Sequence, residues 1–393
     1  MSGRLGGLLR GGTALFTAGL LLTAAACGDS AGDTGSSGSS ASLPSEIKVV
    51  STNPETGAAA FAGLAANKGY EVAIQEINDQ HYLGANTKLV LDKQDTTGKI
   101  QTAASQATSA VADKSYTAIF GSVSSQESVA QAPIADKSKM PIIFTQAGSD
   151  GVVIGDYTFR VTPPMSSYYP KIADYIKAQH ITKLAIIYAA WTPTLKEIGE
   201  KTLPGLASQA GFTVVSSIGT QQTTQDFTAP ISQALAKQPD GIAILQVGAA
   251  NPTAMTQLRQ AGYKGPVLGN SGASAGNLTP AGANGAGMTW VVDYSSQNKT
   301  ESSDKFVALY QKKFPSETPL NYAAEAYDAA WLLARGIKEA GSADRTAIMQ
   351  GMKKTASAGF TGAMGQLKFE GNDLRLPGVV VQWDGTKEIL VTG

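Results

Sequence analysis

The chain has 393 residues, with 31 basic and 31 acidic side chains and 42% hydrophobic residues. That length and apolar content suit two globular domains. The zero formal charge gives no electrostatic reason to expect nucleic acid as a partner. A single cysteine excludes an intrachain disulfide, and neither histidine, His81 or His180, has a second soft ligand nearby, which argues against a metal site.

In chain order, residues 1–26 read as a targeting segment. Arg4 and Arg10 form a positive start, and Thr13 to Ala26 is apolar and small, too short for a membrane span of roughly 20 apolar residues. The segment ends LLTAAACGDS. Ala24, Ala25 and Ala26 before Cys27 resemble a bacterial lipoprotein cleavage box, although Ala24 stands where that class often has Leu. The plainer alternative is a secretory signal with an incidental cysteine. The lipoprotein resemblance implies a diacylglyceryl thioether on Cys27, and two acyl chains suffice for stable anchoring. Residues 27–42 are almost wholly Gly, Ser, Ala, Thr and Asp, the composition of a flexible tether.

From Leu43 onward, apolar runs alternate with helical patterns. Strands are predicted at Glu46–Val50, Thr87–Leu91, Tyr116–Phe120, Pro141–Phe144 and Tyr157–Thr162, with helices over Ala59–Asn78, Ile100–Ala112 and Gln126–Lys137. After Pro163 and Pro164 the rhythm restarts. Strands are predicted at Lys183–Tyr188, Thr213–Ser217, Gly241–Gln246, Pro266–Gly269 and Gly287–Val292, between helices over Leu195–Ala210, Thr228–Lys237 and Pro252–Ala261. Three helices follow, near Ser303–Lys313, Tyr322–Ala340 and Arg345–Lys354, and then three extended pieces, Gln366–Phe369, Gly378–Trp383 and Glu388–Val391. Repeated β-α units predict an α/β fold of two Rossmann-like lobes, each with a largely parallel sheet.

The most informative stretch is Tyr116 to Asp150. Two successive strands end in small polar loops, GSVSS at Gly121–Ser125 and TQAGS at Thr145–Ser149, and the first loop leads into a helix. Ligands of open parallel sheets bind beyond the carboxyl ends of the strands. A helix start offers free backbone N–H groups to an anion, and Ser124 and Ser125 add hydroxyls. A helix N-cap is the structural reading of either serine; two matching turns favour a site for a small carboxylate.

Several segments together resemble the type I periplasmic substrate-binding proteins of branched-chain amino acid ABC importers. They are VVSTNPETGAAAFAG, AIFGSVSSQESVA, MPIIFTQAGSD, QLRQAGYKGPVLG, NYAAEAYDAAWLLARGI and FTGAMGQLKFEGND, and the likeness runs from Ile47 nearly to the end. It implies one lobe of residues 43–164 plus 295–371 and a second of 165–294 plus 372–393, with hinge crossings near Pro164, Tyr294 and Gly371. It also implies a ligand cleft between the lobes that closes on binding. Carried over by position, Ser125 and its neighbour Ser124 match the carboxylate-binding loop. Ala147 matches a backbone-amide position, Gly148 stands where a Thr is common, and Ser149 is the substitute hydroxyl. Trp191 replaces an expected tyrosine. An aromatic expected at Ala250 or Asn251 is absent, and Ser271 occupies the position of the acid that pairs with an amino group.

The resemblance implies an extracytoplasmic, lipid-anchored solute receptor that hands a small amino acid, or a related carboxylate or amide, to permease subunits without a cofactor. The alternative is a sensor reporting to a signalling partner; such receptors are usually fused to a membrane span, and nothing follows Gly393. Enzyme readings fail on context. GASAG at Gly272–Gly276 matches a hydrolase nucleophile turn, but no histidine follows Ser274. GANGAG at Gly282–Gly287 precedes a strand instead of following one, which fails the test for a dinucleotide site.

Overall fold

The computed structural model describes residues 43–391; Cys27, the expected signal peptide and the expected tether lie outside the described residues. The strands are β1 (Glu46–Asn53), β2 (Lys88–Asp95), β3 (Tyr116–Phe120), β4 (Ile142–Phe144), β5 (Thr158–Arg160), β6 (Lys183–Ala189), β7 (Thr213–Thr220), β8 (Gly241–Leu245), β9 (Val267–Leu268), β10 (Met288–Val292), β11 (Phe360–Gly362), β12 (Gly365–Glu370), β13 (Asp373–Arg375), β14 (Val379–Trp383) and β15 (Glu388–Leu390). They form two sheets, ordered β11-β12-β13-β5-β4-β3-β1-β2 and β15-β14-β10-β9-β8-β6-β7. β1 to β5 and β13 run parallel in the first sheet, and β6 to β10 in the second. Among the described residues, antiparallel pairs occur only at the β11–β12–β13 and β10–β14–β15 edges.

Both sheets are covered on both faces, as parallel sheets require. Val49, Ala118 and Phe120 pack under the helices Ala60–Asp79 and Asn321–Ala340, while Val50, Ile119, Ile142 and Phe144 enter a separate core on the opposite face. In the second sheet, Leu184, Ile186 and Tyr188 go to one core and Ala185 and Ile187 to the other. This period-two split explains why the strands read as continuous apolar runs.

β1 extends past its apolar part because its polar end is satisfied inside. Ser51 Oγ donates to Asn67 Oδ1 (2.6 Å), Gln131 Nε2 to Thr52 Oγ1 (2.8 Å), and the Val123 amide to Asn53 Oδ1 (3.0 Å). The helix expected over Leu195–Ala210 is interrupted by a π turn at Ile198–Thr202. Pro204 has no N–H for the helical ladder, and Gly199 lies against Tyr188, whose Cγ a Cβ there would approach to 2.7 Å.

The third crossing between sheets lies later than the expected Gly371. β13 pairs in parallel with β5 through Asp373 and Arg160, so residues 373–375 belong to the first sheet and the chain enters the second only at β14. The reason is a buried bidentate pair: Arg160, 2% exposed, donates from Nε and Nη2 to Asp373 at 2.7 and 2.8 Å. The chain leaves the first sheet after β5 and the second after β10, close to Pro164 and Tyr294.

Candidate functional site: a cleft between the two sheets

A cleft of about 120 Å³ lies where loops from both sheets meet. Its lining residues follow the carboxyl ends of β1 (Ala59, Phe61, Ala62), β3 (Val123 to Gln126), β4 (Gln146), β6 (Trp191 to Leu195), β8 (Gln246, Val247) and β9 (Asn270 to Gly272), with Met165 and Tyr322 completing the wall. This is the place the parallel topology dictates for a ligand. An engineered cavity of about 150 Å³ holds benzene, so the space suits one ring or one branched side chain.

Of the residues singled out from sequence, Ser124, Ser125, Trp191 and Ser271 line the cleft. Ser124 is the N-cap residue of the Ser125–Lys137 helix, yet its side chain makes no capping hydrogen bond. Ser125 Oγ accepts from the Ser149 amide (3.2 Å) and shares a hydrogen bond with Thr194 Oγ1 (2.8 Å) on the opposite wall. Trp191 is half-buried, and its carbonyl accepts from the Gln126 side-chain amide across the cleft.

Ala147, Gly148, Ser149 and Asn251 do not line the cleft. The Ala147 amide is spent on the Thr145 carbonyl (2.6 Å), and the Gly148 carbonyl accepts from the Met165 amide (2.8 Å). Arg160 Nη1 donates to the carbonyls of Ala147 and Ser149, both at 2.7 Å, and so holds this turn behind the wall. Asn251 is buried as a brace, its Nδ2 donating to the carbonyls of Gln246 and Gly272 at 3.0 Å each. Ser274 of GASAG is also buried, 3% exposed.

The turn at Thr145–Ser149 instead presents Gln146, which the sequence expectation passes over. Its φ of 53° is left-handed. Its Nε2 donates to Ser271 Oγ on the opposite wall (3.0 Å), and its Oε1 accepts from Asn321 Nδ2 (2.8 Å). Tyr322 Oη, on the same helix as Asn321, donates to the Ser271 carbonyl (2.8 Å). Asn270 is fixed by the Gly272 amide donating to its Oδ1 (2.7 Å) and by its own Nδ2 donating to the Gln246 carbonyl (3.1 Å). The sequence carried a cue only for Gln146 and Asn270, neighbours of Ala147 and Ser271; nothing local marked Thr194 or Tyr322.

None of the lining residues is charged. The acids begin one layer behind. Asn321 Nδ2 also donates to Glu325 Oε1 (2.8 Å), and Thr162 Oγ1 donates to Asp293 Oδ2 (2.9 Å). Glu325 and Asp293 are buried together, and among the described residues neither has a basic partner in an ion pair. Burial raises both carboxyls, and for Glu325 the neighbouring Asp293 charge adds to the effect, which favours the protonated form at each. Glu127, on the Ser125–Lys137 helix, is likewise raised by burial and is taken up by Thr96 (2.8 Å) and Ser122 (2.5 Å).

A periplasmic binding protein family matches residues 46–387. The chain belongs to that family. Its members and structural neighbours are substrate-binding proteins rather than enzymes, and the family's place is outside the cytoplasm. The chain is 23% identical over 370 residues to Leu/Ile/Val-binding protein homolog 7 of Brucella abortus (strain 2308), covering 88% of this chain and 91% of that one. The leucine-binding protein LivK of Thermotoga maritima superposes with a TM-score of 0.81 at 25% identity, covering 88% of this chain and 98% of that one. LivJ of Streptococcus pneumoniae, solved with isoleucine, gives a TM-score of 0.79 at 23% identity, over 88% and 99%. A solute-binding protein from R. palustris, solved with benzoate, gives 0.79 at 20% identity, over 88% and 95%. The fold is that of the type I branch, in the branched-chain amino acid group.

Proposed function

We propose that the protein is the solute receptor of an ABC importer and that it closes its two lobes around a small ligand with a carboxylate or amide head and an apolar body. The carrying observation is the lining of the cleft: hydrogen-bonding side chains from both walls, all uncharged, around the rings of Phe61, Trp191 and Tyr322. Ser124, Ser125 and Gln146 take the head, and the rings and Leu195 cover the body. Neutral donors serve a carboxylate well. A buried ammonium needs a compensating acid, and Ser271 stands at the family's position for one. Amine-free acids and amides therefore rank ahead of the branched-chain amino acids. Neighbours solved with isoleucine and with benzoate support ligands of this size.

Calorimetry with leucine, valine, their deaminated analogues 4-methylpentanoate and 3-methylbutanoate, benzoate and benzamide tests this reading. Binding is expected for the amine-free compounds. Binding of leucine that is lost on removing its amino group would overturn the head-group assignment, and no binding across the panel would overturn the receptor reading. Anchoring through a lipid on Cys27 belongs to the same proposal, resting on the AAAC box. Cys27→Ala is expected to leave the membrane fraction or remain unprocessed, and normal processing with unchanged fractionation argues against the anchor.

A further inference from the structure

A second chamber, of about 350 Å³, adjoins the cleft and shares Phe61, Trp191, Gln246 and Val247 with it. The boundary between the two is aromatic. Phe61 packs edge-on against Tyr322, with ring centroids 5.6 Å apart at 75°, and Trp191 is held by the Gln126 contact to its carbonyl. Beyond the rings the lining changes character. The loop after β7 supplies Gln221, Gln222 and Gln225, and the Ala250–Gln260 helix supplies Thr253. No lining residue of this chamber is charged. A side-chain amide donates and accepts at once, so three glutamines on one loop match amide and hydroxyl groups better than ions.

Resting on the carboxylate-or-amide reading above, we propose that the two chambers form one extended site. Its ligand carries a third part, a neutral hydrogen-bonding tail such as an acylamino or hydroxyalkyl group, that passes between Phe61 and Trp191 and seats among Gln221, Gln222 and Gln225. The small chamber then reads the head and body, and the large one selects for the tail. Charged tails are disfavoured, because neither chamber supplies a counter-charge.

The test compares 3-phenylpropanoate with 3-(4-acetamidophenyl)propanoate and with the 4-aminomethyl analogue by calorimetry on the full chain. The acetamido compound is expected to bind about tenfold more tightly than 3-phenylpropanoate, the yield of one or two neutral hydrogen bonds, and the cationic compound to gain nothing. In the Gln222→Ala/Gln225→Ala double variant, on exposed loop positions, the ratio of the acetamido to the parent affinity is expected to collapse towards one. Binding of 3-phenylpropanoate with no gain from the acetamide, or a gain that persists in the double variant, overturns the extended site while leaving the receptor reading intact. Failure of all three compounds, together with failure of the small-ligand panel, overturns both.

Discussion

Gln146 shows what a single side chain can hide from a sequence reading. A non-glycine residue in the left-handed region costs about 1–3 kcal/mol and persists only where its surroundings hold it there. Here they do: Asn321 and Ser271 hold its amide from opposite sides of the cleft. Strain held this way at a ligand-facing position suggests that the side chain is kept for binding. Gln146→Gly removes the strain and the amide together. The unliganded protein is expected to melt at the same temperature or slightly higher, while affinity for the best ligand of the panel falls by about 1–3 kcal/mol, the penalty for unpairing a buried polar group. Lower stability with unchanged affinity would make Gln146 a structural residue. Ser124 and Ser125 were legible because a strand, a small polar loop and a helix start follow one another in the sequence. Gln146 was cued only as the neighbour of Ala147, because side-chain type does not report a positive φ. Nor does the local sequence show that the Ala147 and Ser149 carbonyls are taken up by Arg160, outside the loop, which keeps these two residues out of the cleft lining.

At the scale of elements, the Asn321–Ala340 helix joins the site to the core. Its span was readable from the apolar period, to within a residue at its start. Its buried acids were not, since a charged residue inside a helix pattern is normally assigned to the solvent face. Asp328 accepts from the amides of Ala363 (2.6 Å) and Met364 (3.0 Å), next to Gly362, where a Cβ would lie 2.2 Å from its Oδ1. Burial raises its carboxyl to about 7 despite those two amides. The folded protein thus holds a proton that the unfolded chain releases near pH 4. The corresponding stability is fully present below that pH and is lost as pH rises through about 7. One such proton gives a slope of at most about 1.4 kcal/mol per pH unit. Asp328→Asn is expected to be less stable at low pH, because one amide loses its acceptor, but to lose less stability between pH 4 and 7. Urea denaturation across that range measures both, and parallel pH profiles for the two proteins would show that Asp328 does not carry the proton. β13 illustrates the opposite limit of legibility: a three-residue strand has too little pattern to find, and only its pairing with Arg160 places it in the first sheet.

For the whole molecule, the doubled β-α rhythm was legible because each lobe repeats the same buried-strand pattern, but the way the lobes meet was not. The contacts across the cleft join residues far apart in sequence, such as Ser125 with Thr194 and Gln146 with Ser271. Gly248 is another meeting point. It follows β8 with a φ of +52°, and a Cβ there would lie 2.8 Å from the Ala58 carbonyl and 3.3 Å from the Phe61 ring, both on the first-sheet side. A side chain at 248 therefore obstructs this approach of the β8 loop to the loop after β1 without entering either sheet's own core. Asparagine tolerates the left-handed conformation better than other side chains, so Gly248→Asn tests the obstruction with little added backbone strain. If ligand binds only the closed form, the population shifts towards closure on binding, and wild type is expected to show a smaller radius of gyration in small-angle scattering when ligand is added. Gly248→Asn is expected to melt within a few degrees of wild type without ligand, to bind at least about tenfold more weakly, a differential of about 1.4 kcal/mol between open and closed forms, and to show no compaction at saturating ligand. Full compaction in this variant at unchanged affinity would mean that the contact between Gly248 and Ala58 does not limit closure.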